Sequence, residues 1–323
     1  MLRFFKSIFR RNVKAGSYPE SLVKAAIERA VDGTDPWIRA VSGYKKKLRP
    51  AVLHAIGHVV ALVDGTGPPV VLDQESYDNN PLLRSFFFSL ADMKSFLQNE
   101  RALAELKDKE GRVVQNAVGC LVMEKQERVI LGAELSGEVV IRDVPQVTVS
   151  FEAHRLLDLS GEEEETRHQL KRRAFDHLLK IALGRITEIK TKRGALERHR
   201  ALLQSKLSLL QRGGWGFDES ADEQMDVAGI EKALGEIEGE LLEIGKDDKM
   251  LEVYLNVVAD VLGRAEEHLW AGRETLIVDR MGIKRKEAAS GSAEITLDFL
   301  GDAEGRRRVV SLVAVPGQGT RRR

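Results

Sequence analysis

The sequence predicts an α+β protein in which a long antiparallel coiled-coil hairpin interrupts an antiparallel β domain, with a helical bundle ahead of both. Three observations carry this. Apolar residues recur in alternating steps of four and three over 161–273, the stripe of a coiled-coil seam. Segments rich in Val and Ile with a period of two lie on both sides of that stretch, at 111–160 and 274–316. Between 17 and 110 the spacing is helical, broken by Gly and Pro.

The chain has 323 residues, 43% of them hydrophobic and 31% charged. That is enough for about two packed domains. Lys+Arg and Asp+Glu both number 50, so no whole-molecule field draws in nucleic acid, and any electrostatic partner must meet a local patch. The single cysteine, Cys120, sits in an apolar run and reads as an inert core thiol in a reducing compartment. No apolar run reaches the length of a membrane span. The expected location is the cytoplasm, with contact at the inner face of the membrane an additional expectation for the N-terminus.

Residues 1–16 read as a basic amphipathic helix. Leu2, Phe5 and Phe9 share one stripe that Phe4 widens, while Arg3, Lys6, Arg10 and Arg11 take the other arc. This composition suits an anionic membrane interface; docking of the Phe stripe on the protein itself is the competing reading.

In the predicted helical domain, 17–110, Pro19 and Glu20 open a first helix and Gly33 with Pro36 closes it. A second helix is expected from Arg49 to Val63, and shorter ones over 81–90 and 92–106. His54 and His58 stand at i and i+4 on the second helix, a spacing that lets two imidazoles share a metal. Ala55 replaces the glutamate of a metalloprotease helix and no third ligand is apparent, so a packed core histidine is preferred.

After Gly111, four short strands are expected at 113–125, 127–135, 138–143 and 146–153, joined as a meander. Asp158-Leu-Ser-Gly161 resembles a fragment of the nucleotide-contacting motif of cyclic-di-GMP binding barrels. Glu163 stands where that motif needs glycine, so Asp158 or Ser160 is read instead as the cap of the next helix.

The hairpin, 161–273, is expected to have two helices of about forty residues, roughly 60 Å each, around a glycine-rich tip at 212–227. Three seam positions break the apolar rule: Arg193, Arg200 and Asp248. Folded antiparallel, Arg193 falls opposite 246–248 and Arg200 opposite 238–240, so opposite charges meet at both defects and help to fix the register. Trp215 and Phe217 at the tip form an aromatic pair suited to a partner contact; plugging the end of the hairpin's own core is the bland reading. Strands follow at 275–279, 293–300 and 308–315, the last two as a hairpin, and 317–323 is an expected disordered tail.

No phosphate loop, nucleophile elbow, dinucleotide fingerprint or Cys-x-x-Cys pair is present. No catalytic set, cofactor site or metal set emerges. The expectation is a non-enzymatic scaffold or adaptor that binds a protein partner through the hairpin, peripheral at a membrane through its N-terminus. The alternatives are a nucleic-acid-associated protein, using Lys171-Arg-Arg173, Lys284-Arg-Lys286, Arg306–Arg308 and Arg321–Arg323, and an enzyme whose site is not visible as a motif.

Overall fold

The computed structural model describes residues 18–106, 116–136, 139–211, 221–287 and 291–317. The expected N-terminal helix (Leu2, Phe4, Phe5, Phe9, Arg10, Arg11), the tip aromatics Trp215 and Phe217, and the tail after Gly317 lie outside these residues. Helices and one antiparallel sheet make up the rest, with a long helix between the third strand and the later ones.

The chain divides into two units: 56–175 with 265 onward in one, and 17–55 with 176–264 in the other. The helices of 17–110 are therefore divided between the two units.

The sheet unit is built on two strands far longer than the four short ones expected. β1 (Val70–Val71) is a brief opening strand; β2 (Asn116–Ser136) and β3 (Val139–Ser160) then run antiparallel along nearly their whole length. Lys125-Gln126 carries no residue that favours a turn, so β2 continues through it. The irregularity falls instead on β3. At three register shifts two β3 residues oppose one on β2, and in each the extra pair includes a residue with left-handed backbone: Asp143 (φ 59), Ala153 (φ 54) and Asp158 (φ 53). These are β-bulges, which bend a strand and increase its twist.

The remaining strands are β4 (Leu269–Asp279), β5 (Lys284–Arg285), β6 (Ser292–Asp302) and β7 (Arg307–Pro316), in the order β3-β2-β7-β6-β4-β5. Strands from before and after the long helix thus join one sheet, through Asn116–Met123 of β2 against β7. Along its other edge β7 pairs first with β6 and then, in parallel, with β1. The two outer strands also meet: Thr148 bridges Ile283, and Val149 N–H donates to Gly282 O at 2.8 Å. The sheet closes on itself as a barrel.

Alternation then decides what fills it. Leu121 and Met123 of β2, Phe151 of β3, Leu276 and Val278 of β4, Ile295 and Leu297 of β6, and Val309 and Val313 of β7 share one core. The short helices α3 (Gln74–Asn79), α4 (Pro81–Phe86), α5 (Leu90–Asn99) and α6 (Arg101–Glu105) follow β1 in the chain, and Leu83, Phe86, Phe87 and Met93 from this segment join that core. Phe86 meets Phe151 edge-on at 5.2 Å, and His154 stacks on Phe87 while donating Nε2–H to Phe86 O at 2.8 Å. On the outer face Cys120, Val310 and Leu312 pack with Leu170. Burial pushes the Cys120 thiol up to about 12, as suits an inert core residue.

Helix α1 (Glu20–Asp32) matches its prediction and ends at Gly33. The next helix, α2 (Tyr44–Asp64), begins five residues before the expected Arg49 and carries Pro50 inside. Gly43, at φ 69, makes the turn that starts it early, and Leu48 is fully buried in its second turn. Helix α7 (Glu163–Gln211) has 49 residues and would span about 73 Å at 1.5 Å per residue. Ser160, not Asp158, meets its start: Ser160 Oγ accepts from Glu162 N–H and bonds Thr166 Oγ1 at 2.8 Å. Asp158 instead takes a two-pronged bond from Arg173.

The helix after the tip is not continuous. It is α8 (Ala221–Ile244), then a 3-10 turn over Asp247–Lys249, then α9 (Met250–Gly263), followed by the single turn α10 (Ala265–His268). Gly245 breaks it: its φ of 138 is open to glycine alone, and a Cβ there would lie 3.0 Å from Val253.

Candidate functional site

Two neighbouring features of the barrel unit stand out, and both begin where the apolar interior ends. Continuing each strand one step beyond its last core residue on the inner face gives Lys125 on β2, Glu274 on β4, Phe299 on β6 and Arg307 on β7. Three of these four are charged, where the lining below them is apolar.

These side chains hold one another. Lys125 Nζ donates to Glu274 at 2.6 Å and to Glu127 at 2.8 Å. Burial alone would lower the Lys125 pKa, but the two carboxylates hold it above the ordinary amine value; Lys125 in turn keeps Glu127 below the usual carboxylate range. Lys284 reaches the same Glu127 at 3.3 Å. Arg307 lays its guanidinium on the face of Phe299, 3.8 Å from the ring centre, and touches Glu274 only at 3.4 Å. The Phe299 ring covers Gly272, where a Cβ would come within 2.4 Å of it, and Trp270 similarly covers Gly301. Arg307 is 52% exposed and holds the loosest ion pair of this group.

The second feature is the ribbon that β2 and β3 form beyond this mouth. Pairing of β2 with β7 ends at Met123↔Val309, yet β2 runs on to Ser136 with β3 alone beside it among the described strands. On this ribbon Val129 is 71% exposed, Ile130 41%, Leu131 69% and Ile141 48%. Three of these are consecutive on one strand, so both ribbon faces show apolar surface to solvent.

The two edges of the ribbon differ. β3 carries the Asp143 bulge and Pro145, which lacks an N–H, opposite Leu131; both features blunt an edge. β2 carries neither from Glu124 to Leu131. Its hydrogen-bonding parity follows from Val149, whose N–H points away from β2 to Gly282. The pair Glu127↔Val149 is therefore a non-hydrogen-bonded one, so Glu127, Val129 and Leu131 turn their N–H and C=O groups toward the open edge. Arg128 and Ile130 turn theirs to β3; Thr148 Oγ1 also donates to Arg128 O at 3.1 Å.

Other residues singled out from the sequence fall as follows. Arg193 bonds Gly245 O at 2.7 Å, Glu197 at 2.9 Å and the carboxylate of Asp247. Its acidic partner is thus Asp247 rather than the expected Asp248, which is exposed in the 3-10 turn; the helix break at Gly245 shifts the carboxylate by one position. Arg200 is half-buried on its helix. His58 donates Nε2–H to Leu269 O, 2.6 Å away, and His54 is exposed. Among the described residues no group of three or more His, Cys, Asp or Glu side chains is placed to hold a metal.

The basic clusters are largely matched by acids. Lys171 meets Asp64, Arg173 meets Asp158, Arg285 meets Asp279, Arg306 meets Asp302 and Arg308 meets Glu124. Arg167 is spent on structure: it donates to Val63 O, Thr66 Oγ1 and Gly67 O at 3.0 Å each, closing the carbonyl end of α2. No helix among the described residues is long and apolar enough to cross a membrane.

The ribbon is not among the predicted elements, although the sequence carries a signal for it. Val129-Ile-Leu131 breaks the period of two that a half-buried strand keeps, and such an unalternated triplet is either fully covered or made for contact. No protein-family model, curated protein or solved structure matches this chain.

Proposed function

We propose that the chain is a non-enzymatic scaffold or adaptor that binds protein partners. The observation that carries this reading is the apolar triplet Val129, Ile130 and Leu131, exposed on a ribbon with one unblunted edge. Contiguous apolar surface of this kind is costly to leave in water and marks contact sites, and an open strand edge is a template for another strand.

The helical arm is the second contact element in this reading. An antiparallel coiled-coil hairpin of α7 and α8 is supported by the Lys192–Glu240 pair at 3.1 Å, by the Arg193 bond to Gly245 O, and by burial of Ile230, Ile237 and Leu241 at seam spacing. Its tip, with Trp215 and Phe217, would then present a separate surface. A cytoplasmic site of action, with the basic N-terminus at a membrane, belongs to the same proposal.

Affinity capture from the source cell, comparing wild type, Leu131→Asp and Trp215→Ala/Phe217→Ala, tests it. Each variant is expected to lose a defined subset of partners while keeping its thermal midpoint; identical partner sets for all three proteins would refute the reading. The nucleic-acid alternative is the weaker one, because each described Lys and Arg cluster already holds carboxylates. It predicts binding to generic DNA or RNA with a steep salt slope.

A further inference from the structure

The open edge of β2 and the loosely held Arg307 lie in line, and together they specify a partner. Extending the β2–β7 register past Met123↔Val309 brings Lys125 level with Arg307, where β7 starts. Beyond that point the position beside β2 has no strand among the described residues. A strand laid there antiparallel to β2 runs in the direction of β7, and its last residue arrives at the start of β7.

We propose that this edge binds the extended, apolar C-terminal segment of a partner protein, antiparallel to β2, with the terminal carboxylate received by Arg307. The backbone groups of Glu127, Val129 and Leu131 face the incoming strand and supply its ladder. Val129 and Leu131 on one face and Ile130 on the other give alternate apolar side chains a surface to pack on. The direction of the strand is fixed by charge. An antiparallel segment ends beside a cation, whereas a parallel one would bring its positive amino terminus there if it began at that point.

Arg307 suits the role for three reasons on its own face of the sheet. Its plane is held on Phe299, which is itself packed over Gly272, so little freedom remains to be lost on binding. Its acid, Glu274, is bound more closely by Lys125, at 2.6 Å against 3.4 Å. Another carboxylate on this face, Glu127, is held by both Lys125 and Lys284, which lessens its repulsion of an arriving anion. Guanidinium forks bind carboxylates with two parallel hydrogen bonds.

The inference rests on the protein-binding reading above and adds the chemistry of the partner. It is tested on the full chain by fluorescence polarisation with a labelled heptapeptide of alternating Val and Thr, as free acid and as C-terminal amide. Wild type is expected to bind the acid about tenfold more tightly than the amide, the size of a charge-assisted bond. Arg307→Gln should bring the two peptides to near equality, Arg307→Lys should keep part of the preference, and Leu131→Asp should weaken both. Equal binding of acid and amide by wild type, an undiminished preference in Arg307→Gln, or no binding of either peptide overturns the proposal. So does concentration-dependent dimerisation that Leu131→Asp abolishes, because a second copy would then occupy the edge. If Leu131→Asp loses captured partners but wild type shows no acid preference, the scaffold reading stands and this inference alone falls.

Discussion

The two halves of β2 are one continuous strand with opposite fates. From Asn116 to Met123 it is paired on both edges, and Leu121 and Met123 are fully buried. From Glu124 onward it keeps β3 alone among the described strands, and its most apolar run is exposed. The first half is the more apolar, yet Val129-Ile-Leu131 is as apolar as Leu121-Val-Met123 and lies exposed, so hydrophobicity alone does not place a residue inside. What differs is the neighbour: β7 begins at Arg307, and the strand that would cover the second half is missing from the described chain. A buried core residue and an exposed one can thus be the same amino acid on one strand, as Leu121 and Leu131 are.

This contrast also shows what was legible in the sequence. The helical stripes of α7 and α8, the strands on both sides of them, and the α1 boundaries were readable because each is a local period. The barrel closure was not, since Thr148 and Ile283 are far apart in the chain and neither carries a turn or pairing signal. Nor were the bulges, because Asp143, Ala153 and Asp158 look like ordinary strand or loop residues until φ is known. The charged mouth was hidden for the same reason: Lys125, Glu274 and Arg307 come from three strands, and only the register brings them together.

The largest expected effect breaks the comparison at its centre. Leu121→Ala should cost about 3 kcal/mol of unfolding free energy by urea titration, while Leu131→Ala should change it by less than about 0.5 kcal/mol, as at an exposed site. Gly282→Ala comes next. Its φ of 76 and the 2.9 Å approach of a Cβ to Val149 O leave no room for a methyl group, so the barrel closure at the base of the ribbon should weaken by about 2 kcal/mol. Ala153→Gly acts the other way: a left-handed alanine is strained, and relieving it should stabilise the bulge by up to about 1 kcal/mol, raising the thermal midpoint.

The smallest effect concerns pH. Burial lowers the pKa of His154 below its ordinary 6.5, opposed by the bond to Phe86 O. The unfolded chain therefore takes up a proton first. The contribution is fully present above pH 6.5 and is lost as pH falls from there through the folded-state value. His154→Gln should flatten that part of the melting-temperature profile between pH 7.5 and 5.5.

The central claim, that the second half of β2 offers an unpaired edge, is tested most directly by residue-resolved amide hydrogen exchange on the dilute chain. Protection is expected at every amide from Val118 to Val122. It should then alternate, with Arg128 and Ile130 slow and Glu127, Val129 and Leu131 fast. Slow exchange at all five of these amides would mean that the edge is already covered, and would contradict the account.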